Sequence, residues 1–318
     1  MENSPADQSC SISVIIPTLN GAKSLRELLA SLTIQTLCPD EILVIDSQST
    51  DDSADIARSY GAQVSIIDRT AFDHGTTRSL AARAAKGDIL IFLTQDVLPV
   101  HRTVLEELIS PLLGSDSIAV SYGRQLPAFD ADEIAAHLRG FNYTELSVVR
   151  DFNDRDVLGL ETIFNSNSCA AYLKSSLMEI DFFKSGLIFG EDTCAAGRLL
   201  EKGKKIAYVA NAAVYHSHNY EWHEEFCRYF DIGVFHANEN WLLNTYGHTG
   251  SRGKQYFRSG ISHLYQLRAY GLIGDFMVRV ALKFIGYHLG RHYQKLPRRL
   301  RPKLSMNKNW WKSEIDPC

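Results

Sequence analysis

Residues 88–96 read DILIFLTQD. Five apolar side chains, Ile89 to Leu93, run without a break into the polar Thr94-Gln95-Asp96. An apolar run of this length predicts a strand buried on both faces, as in a parallel sheet covered by helices. Near-continuous apolar runs occur three times upstream, at residues 12–16 closing on Pro17-Thr18, at 41–45 closing on Asp46, and at 64–67. Helical patterns lie between these runs. Leu25, Leu28, Leu29 and Leu32 fall on one face of a helix over 24–32, with Ser24 as its N-cap. Residues 50–60 and 77–86 read as two more helices, the first capped by Thr50 or Asp51, the second stopped by Gly87. Strand and helix in alternation predict an α/β fold, a mostly parallel sheet with helices on both faces.

Ligands of such sheets bind beyond the carboxyl ends of the strands. That rule singles out Thr18, Asn20, Asp46 and Asp96, all polar and each following an apolar run. The chain from about 100 to 235 is less regular, and from 236 onward the pattern is mainly helical. There is no internal repeat and no low-complexity tract.

Composition bounds the class. The 318 residues are 45% apolar and 22% charged, an ordinary globular balance that excludes a disordered, collagen-like or disulfide-scaffold protein. The net charge of −4 is unevenly spread: Arg279 to Lys303 holds eight Lys/Arg and no carboxylate, leaving −12 for the rest. An acidic body with a basic tail is no polycation built for nucleic acid, and the tail points to an anionic partner surface. Within it Arg279, Lys283, Arg291 and Lys295 share one stripe at multiples of four. The six cysteines form no C-x-x-C pair, which suggests reduced thiols in the cytoplasm. The polar N-terminus, residues 1–10, is expected to be disordered and lacks the order of a signal peptide. No run of about 18 uncharged apolar residues occurs, so no membrane-spanning helix is expected.

Several polar groups suggest chemistry. A carboxylate at the end of a buried strand, Asp96, can hold Mg2+ or Mn2+ against a diphosphate, though Asp is also common in strand-end turns. Asp46 can accept from a nucleobase N–H or a ribose hydroxyl, or cap the next helix. In FDHGTTR (72–78), Arg78 offers a two-pronged phosphate contact at a helix start; a surface arginine beside a glycine turn is the plainer reading. Glu191 and Asp192 open a helix over 193–202, where the dipole alone favours acids, and one of them can serve as general base. His216 and His218, on alternate residues of an extended segment, point the same way and suit a metal or phosphate, His216 more than His218. Arg150, Arg155, Trp222, Tyr229 and Trp241 are candidates for a sugar or acceptor pocket, although most aromatics are simply core. No G-x-G-x-x-G follows the first strand, and neither G-x-x-x-x-G-K-[ST] nor G-x-S-x-G occurs, which argues against a dinucleotide dehydrogenase, a P-loop nucleotidase and a common hydrolase.

In order, SVIIPTLNG (13–21), EILVIDSQSTDDS (41–53), FDHGTTRS (72–79), AKGDILIFLTQDVLP (85–99) and GEDTCAAGRLLEKGKKIAYVANAAVYHSH (190–218) resemble the family 2 glycosyltransferases with the GT-A fold, over residues 11–235. FDHGTTR and TQDVLP resemble the bacterial rhamnosyltransferase branch. The resemblance implies that Pro17, Thr18 and Asn20 form the first nucleotide-binding loop, that Asp46 reads a pyrimidine base and that Arg78 lies near the diphosphate. Thr94 and Gln95 would line the nucleotide sugar, in the place where the family usually has D-x-D, and Asp96 would be the main metal ligand, joined by His216. Asp192, paired with Glu191, matches the family's catalytic base. The implied enzyme is an inverting glycosyltransferase in bacterial surface polysaccharide synthesis, with Mg2+ or Mn2+. Its donor would be dTDP-L-rhamnose, or alternatively a UDP-hexose or UDP-N-acetylhexosamine. The acceptor would be a saccharide or lipid-linked saccharide. Residues 236–318 would be a helical extension lying on the inner face of the plasma membrane, and the enzyme would be cytoplasmic. Rival readings are a nucleotidyltransferase, for which the glycine-rich, lysine-bearing loop is missing, and a non-catalytic nucleotide-sugar-binding homologue.

Overall fold

A computed structural model describes residues 10–247 and 252–315. The disordered tail expected for residues 1–10 lies outside them except for Cys10, as does Cys318. Nine strands form one sheet: β1 (Ile12–Thr18), β2 (Glu41–Asp46), β3 (Gln63–Ile66), β4 (Ile89–Leu93), β5 (Leu98–Pro99), β6 (Ile118–Leu126), β7 (Val148–Arg150), β8 (Cys169–Leu173) and β9 (Lys205–Tyr215). The order is β3-β2-β1-β4-β8-β6-β9-β5, with β7 also paired to β9. The first four strands are parallel, as the near-continuous apolar runs suggest, although β3, at the sheet edge, is mostly exposed. Beyond β4 the sheet is mixed: β8 runs antiparallel to β4 and β6, β9 is parallel to β6, and β5 and β7 are antiparallel to β9.

Alternation along each strand sends successive side chains to opposite faces. Val14, Ile16, Val44, Ile89, Ile91 and Leu93 pack on one side with the leucines of the helix Ala22–Leu32 and with the helix Val104–Gly114. Ile15, Leu43, Ile45, Leu90 and Phe92 pack on the other with Ala81 and Ala82 of the helix His74–Ala84 and with the helix Glu191–Glu201. The chain order reverses between β1 and β4, so the crevice at their carboxyl ends is the topological switch point where a ligand fits.

Two helix starts differ from the sequence expectation, each because of the cap that forms. Ser24 is not an N-cap; it lies inside the helix, which begins at Ala22. The free amides there are met from the loop after β2: Ser53 Oγ accepts from Gly21 N at 2.9 Å and Asp51 Oδ2 from Ala22 N at 3.0 Å. The next such helix starts at His74 rather than Thr77, because Asp73 accepts from Thr76 N at 2.7 Å.

The later helices pack onto this frame. The position 235 expected to end the first domain falls inside the helix Trp222–Asn238. The helix Tyr270–Arg291 lies against it so closely that a side chain at Gly290 would meet the Phe230 carbonyl at 2.0 Å. The basic stripe is turned inward rather than freely exposed. Arg279 pairs with Asp275 at 2.7 Å, Lys283 is buried 3.2 Å from Glu225, and Arg291 donates to Asn240 Oδ1 at 3.1 Å. Of the four, Lys295 alone is classed as exposed. No helix among the described residues is long and apolar enough to cross a membrane.

Lys283 and Glu225 are each 5% exposed, so removing one partner strands the other in the interior. Lys283→Met should lower unfolding stability by about 3–5 kcal/mol in chemical denaturation, and adding Glu225→Leu should restore most of it.

Candidate active site

The carboxyl end of β1 is held by an amide from β4. Gln95 Oε1 accepts from Thr18 Oγ1 at 2.5 Å and from Leu19 N at 2.9 Å, and Gln95 Nε2 donates to the Leu19 carbonyl at 3.2 Å. A side chain at Gly21 would land 2.3 Å from that amide oxygen, so only glycine admits the clamp. Gln95 is thereby committed to the loop. Pro17 stands one residue before Thr18, in register with Ile45. Asn20 takes a left-handed φ of 47° and ties this loop to the next, accepting from Thr50 N and donating its own N–H to Ser49 Oγ, both at 2.8 Å.

Asp46 is 1% exposed at the end of β2. Its Oδ1 accepts from Ser49 N at 2.8 Å, while its Oδ2 is buried with no hydrogen-bond partner. An unsatisfied buried carboxylate oxygen is costly, and a ligand N–H or O–H delivered to it relieves that cost.

At the end of β4, Asp96 faces two imidazoles. His216 Nε2 is 3.5 Å and His218 Nε2 3.7 Å from Asp96 Oδ2, and one ligand atom from each of the three residues lies within 4.8 Å of the others. His216 is buried, and its Nδ1 meets Gln125 Oε1 at 2.9 Å. Arg139, a pure donor, reaches the same oxygen at 2.7 Å, which identifies it as the amide's acceptor. His216 Nδ1 is therefore the donor, and Nε2 is the atom turned toward Asp96. Burial works to raise the Asp96 carboxyl, but the hydrogen bond and charge of His216 outweigh it and hold the group well below the usual carboxylate range. One carboxylate and two imidazoles suit a divalent cation such as Mn2+.

The acidic pair divides its work. Glu191 is buried, 3.2 Å from Arg78 NH1, and accepts from Asn167 Nδ2 at 3.1 Å. Arg78 also meets His74 Nδ1 at 3.1 Å and lies buried against these partners instead of standing open at a helix start. Asp192, half-buried, accepts from Thr193 N at 2.7 Å and from Asn167 N at 3.1 Å. Burial, and then the charge of Glu191, push the Asp192 carboxyl up to about 6. Gly190 makes the turn that presents the pair, at φ 83°, with Phe235 filling the space where a side chain would go.

These groups meet through Ser166-Asn167-Ser168. Ser166 Oγ accepts from Gln125 Nε2 at 2.9 Å, Asn167 holds both acids, and the Ser168 carbonyl accepts from Thr94 N at 3.3 Å. Sequence reading missed Gln125, Arg139 and Asn167, which carry no local pattern. It ranked His218 below His216, whereas both face Asp96.

The five pocket candidates sit in the scaffold or at its edge. Arg150 is buried and bonds Tyr122 Oη at 2.8 Å and the Phe164 carbonyl at 2.6 Å. Arg155 lies 3.9 Å over the Phe152 ring, and Trp241 Nε1 donates to Glu239 at 2.8 Å. Trp222 is half exposed and bonds Asp275, while Tyr229 lies beside Lys283.

Comparison with known proteins adds identity to this geometry. The family described as Glycosyl transferase family 2 matches residues 13–181. The O-antigen chain rhamnosyltransferase WbaN of Salmonella anatum is 39% identical over 303 residues, covering 95% of this chain and 96% of that protein. The mannosyltransferase PcManGT of Pyrobaculum calidifontis, solved with GDP-Man and Mn2+, superposes with a TM-score of 0.60 at 16% identity over 92% of both chains. TarS 1-349 of S. aureus, solved with UDP-GlcNAc, gives a TM-score of 0.54 at 18% identity over 96% of this chain and 91% of that one.

Gln125→Leu removes the acceptor that fixes the His216 tautomer. Mn2+ affinity, followed by calorimetry, should fall about 10–100-fold with the fold intact.

Proposed function

The chain belongs to glycosyl transferase family 2, and from that premise we propose that it transfers L-rhamnose from dTDP-L-rhamnose to a hydroxyl of a saccharide or lipid-linked saccharide in surface polysaccharide synthesis. The choice of sugar is supported by the 39% identity to the Salmonella anatum rhamnosyltransferase along nearly the whole chain. The observation that carries the reaction type is Asp192: a carboxyl raised to about 6, joined by the 166–168 segment to the strand end that bears Asp96.

Each group then has a role. Asp46 Oδ2, buried and unpartnered, accepts the N–H of the pyrimidine base, and Pro17, Thr18 and Asn20 form the loop beside it. Gln95 holds that loop in place, and Thr94 is anchored to Ser168, which fixes the turn leading to Asp96. Asp96, His216 and His218 would hold Mg2+ or Mn2+, which when bound would offset the charge of the departing diphosphate. Glu191 fixes the guanidinium of Arg78 as a standing positive charge on the diphosphate side. Asp192 accepts the proton of the acceptor hydroxyl. That oxygen forms the new bond to the anomeric carbon, and the bond to the diphosphate breaks in line, its electron pair leaving with dTDP. The configuration at that carbon inverts. Residues 11–235 carry these groups, and residues 236–318 form the helical extension through which a cytoplasmic enzyme meets the inner face of the membrane.

Asp192→Asn should lower turnover about 10²–10⁴-fold while nucleotide affinity holds. Transfer measured with purified donor and acceptor checks this, and full activity in the variant would remove Asp192 as base. A base must be ionised to act, so wild-type turnover should decline as pH falls through about 6 and level off above it.

A further inference from the structure

The helix Tyr270–Arg291 has two unlike faces. The inner one, with Phe276, Lys283, Gly286 and Gly290, is buried against the body of the protein. The other faces outward. Tyr270, Met277, Val278, Phe284 and Ile285 recur at helical spacing on it, with only Gly274, Ala281 and His288 between. Phe284 is 63% exposed, Met277 52% and Ile285 47%, and no charged residue interrupts the face. From Tyr270 to His288 the stripe is about 27 Å long. Tyr265, 64% exposed on the helix Arg252–Gln266, packs its ring 5.5 Å from Tyr270 and widens it. An exposed apolar patch of this extent marks a docking surface.

The surrounding charge names the occupant. Residues 252–312 contain fourteen Lys/Arg and one carboxylate, Asp275, which is already paired to Arg279. Exposed Arg268 precedes the stripe, and exposed Lys295, Arg298 and Arg299 follow it. A second copy docked here would bring these cations against one another, whereas an anionic bilayer meets both the apolar stripe and its basic ends. We infer that the outward face of the helix Tyr270–Arg291 lies in the interface of an anionic lipid membrane, without spanning it. The inference rests on the proposed membrane role of residues 236–318 and gives it a surface, and it does not depend on the identity of the sugar.

The test is sedimentation of the full chain with vesicles of phosphatidylcholine alone or mixed with phosphatidylglycerol, at low ionic strength. The wild type should sediment with the phosphatidylglycerol vesicles only. Met277→Glu with Phe284→Glu should weaken binding at least about ten-fold. Arg298→Gln with Arg299→Gln should weaken it about five-fold per charge removed. All four residues are exposed, so the unfolding temperature should not move. Absent wild-type binding, unchanged binding in the variants, or a solution dimer that the same substitutions dissociate would each overturn the inference. No substrate enters the experiment, so a failure of the proposed transfer reaction leaves its result readable.

Discussion

Three residues between β7 and β8, Ser166-Asn167-Ser168, hold the site together. Asn167 alone donates to Glu191 and Asp192 and accepts from Tyr172 Oη at 2.8 Å. Tyr172 is fully buried on β8, in register with Leu90 of β4, so the acidic pair is referred directly to the centre of the sheet. Ser166 extends the same frame to Gln125 and hence to His216, and Ser168 extends it to Thr94. The acidic pair, the imidazoles and the strand end that carries Asp96 thus share one support. Antiparallel insertion of β8 beside β4 is what brings that support to the switch point.

Electrostatics at this support separates two adjacent carboxylates. Glu191 is compensated by Arg78 and by the Asn167 amide, so it remains a buried anion. Asp192 has two backbone donors and a long contact from Thr193 Oγ1 at 3.4 Å but no cation against it, and it feels the charge of Glu191, which helps raise it. Neighbouring acids in unlike surroundings acquire unlike proton affinities, and the one held nearer neutrality is the one suited to move a proton. On the opposite side of the switch point, Asp46 keeps a buried oxygen with no partner, an open demand for a donor.

The parts legible in the sequence were those set by local pattern. Near-continuous apolar runs located β1, β2 and β4, and Thr18, Asp46 and Asp96 stand at or just past their carboxyl ends. Helix starts were less legible, even where the cap is local: Asp73 opens its helix three residues before the expected Thr77. Ser24 was displaced because Asp51 and Ser53, far along the chain, supply the partners. Gln125, Arg139 and Asn167 could not be found, since each acts through contacts between distant segments. The stripe of Arg279, Lys283 and Arg291 is the inverse case. Its period was read correctly, but a basic stripe facing lipid and one facing Asp275, Glu225 and Asn240 have the same sequence pattern. Burial of the partner carboxylates decides between them, and that is a property of packing.

The central claim is that cation and nucleotide share one site at the switch point of the sheet. Thermal unfolding of the purified chain with dTDP, UDP and GDP, with Mn2+ and with chelator, tests it most directly. A nucleotide at 100 times its dissociation constant adds about 2.7 kcal/mol of stability, a clear shift. The account predicts stabilisation by dTDP that needs the cation, that is lost in Asp96→Ala, and that is lost in Asp46→Ala even with the cation present. Equal stabilisation with chelator, or in both variants, would contradict it.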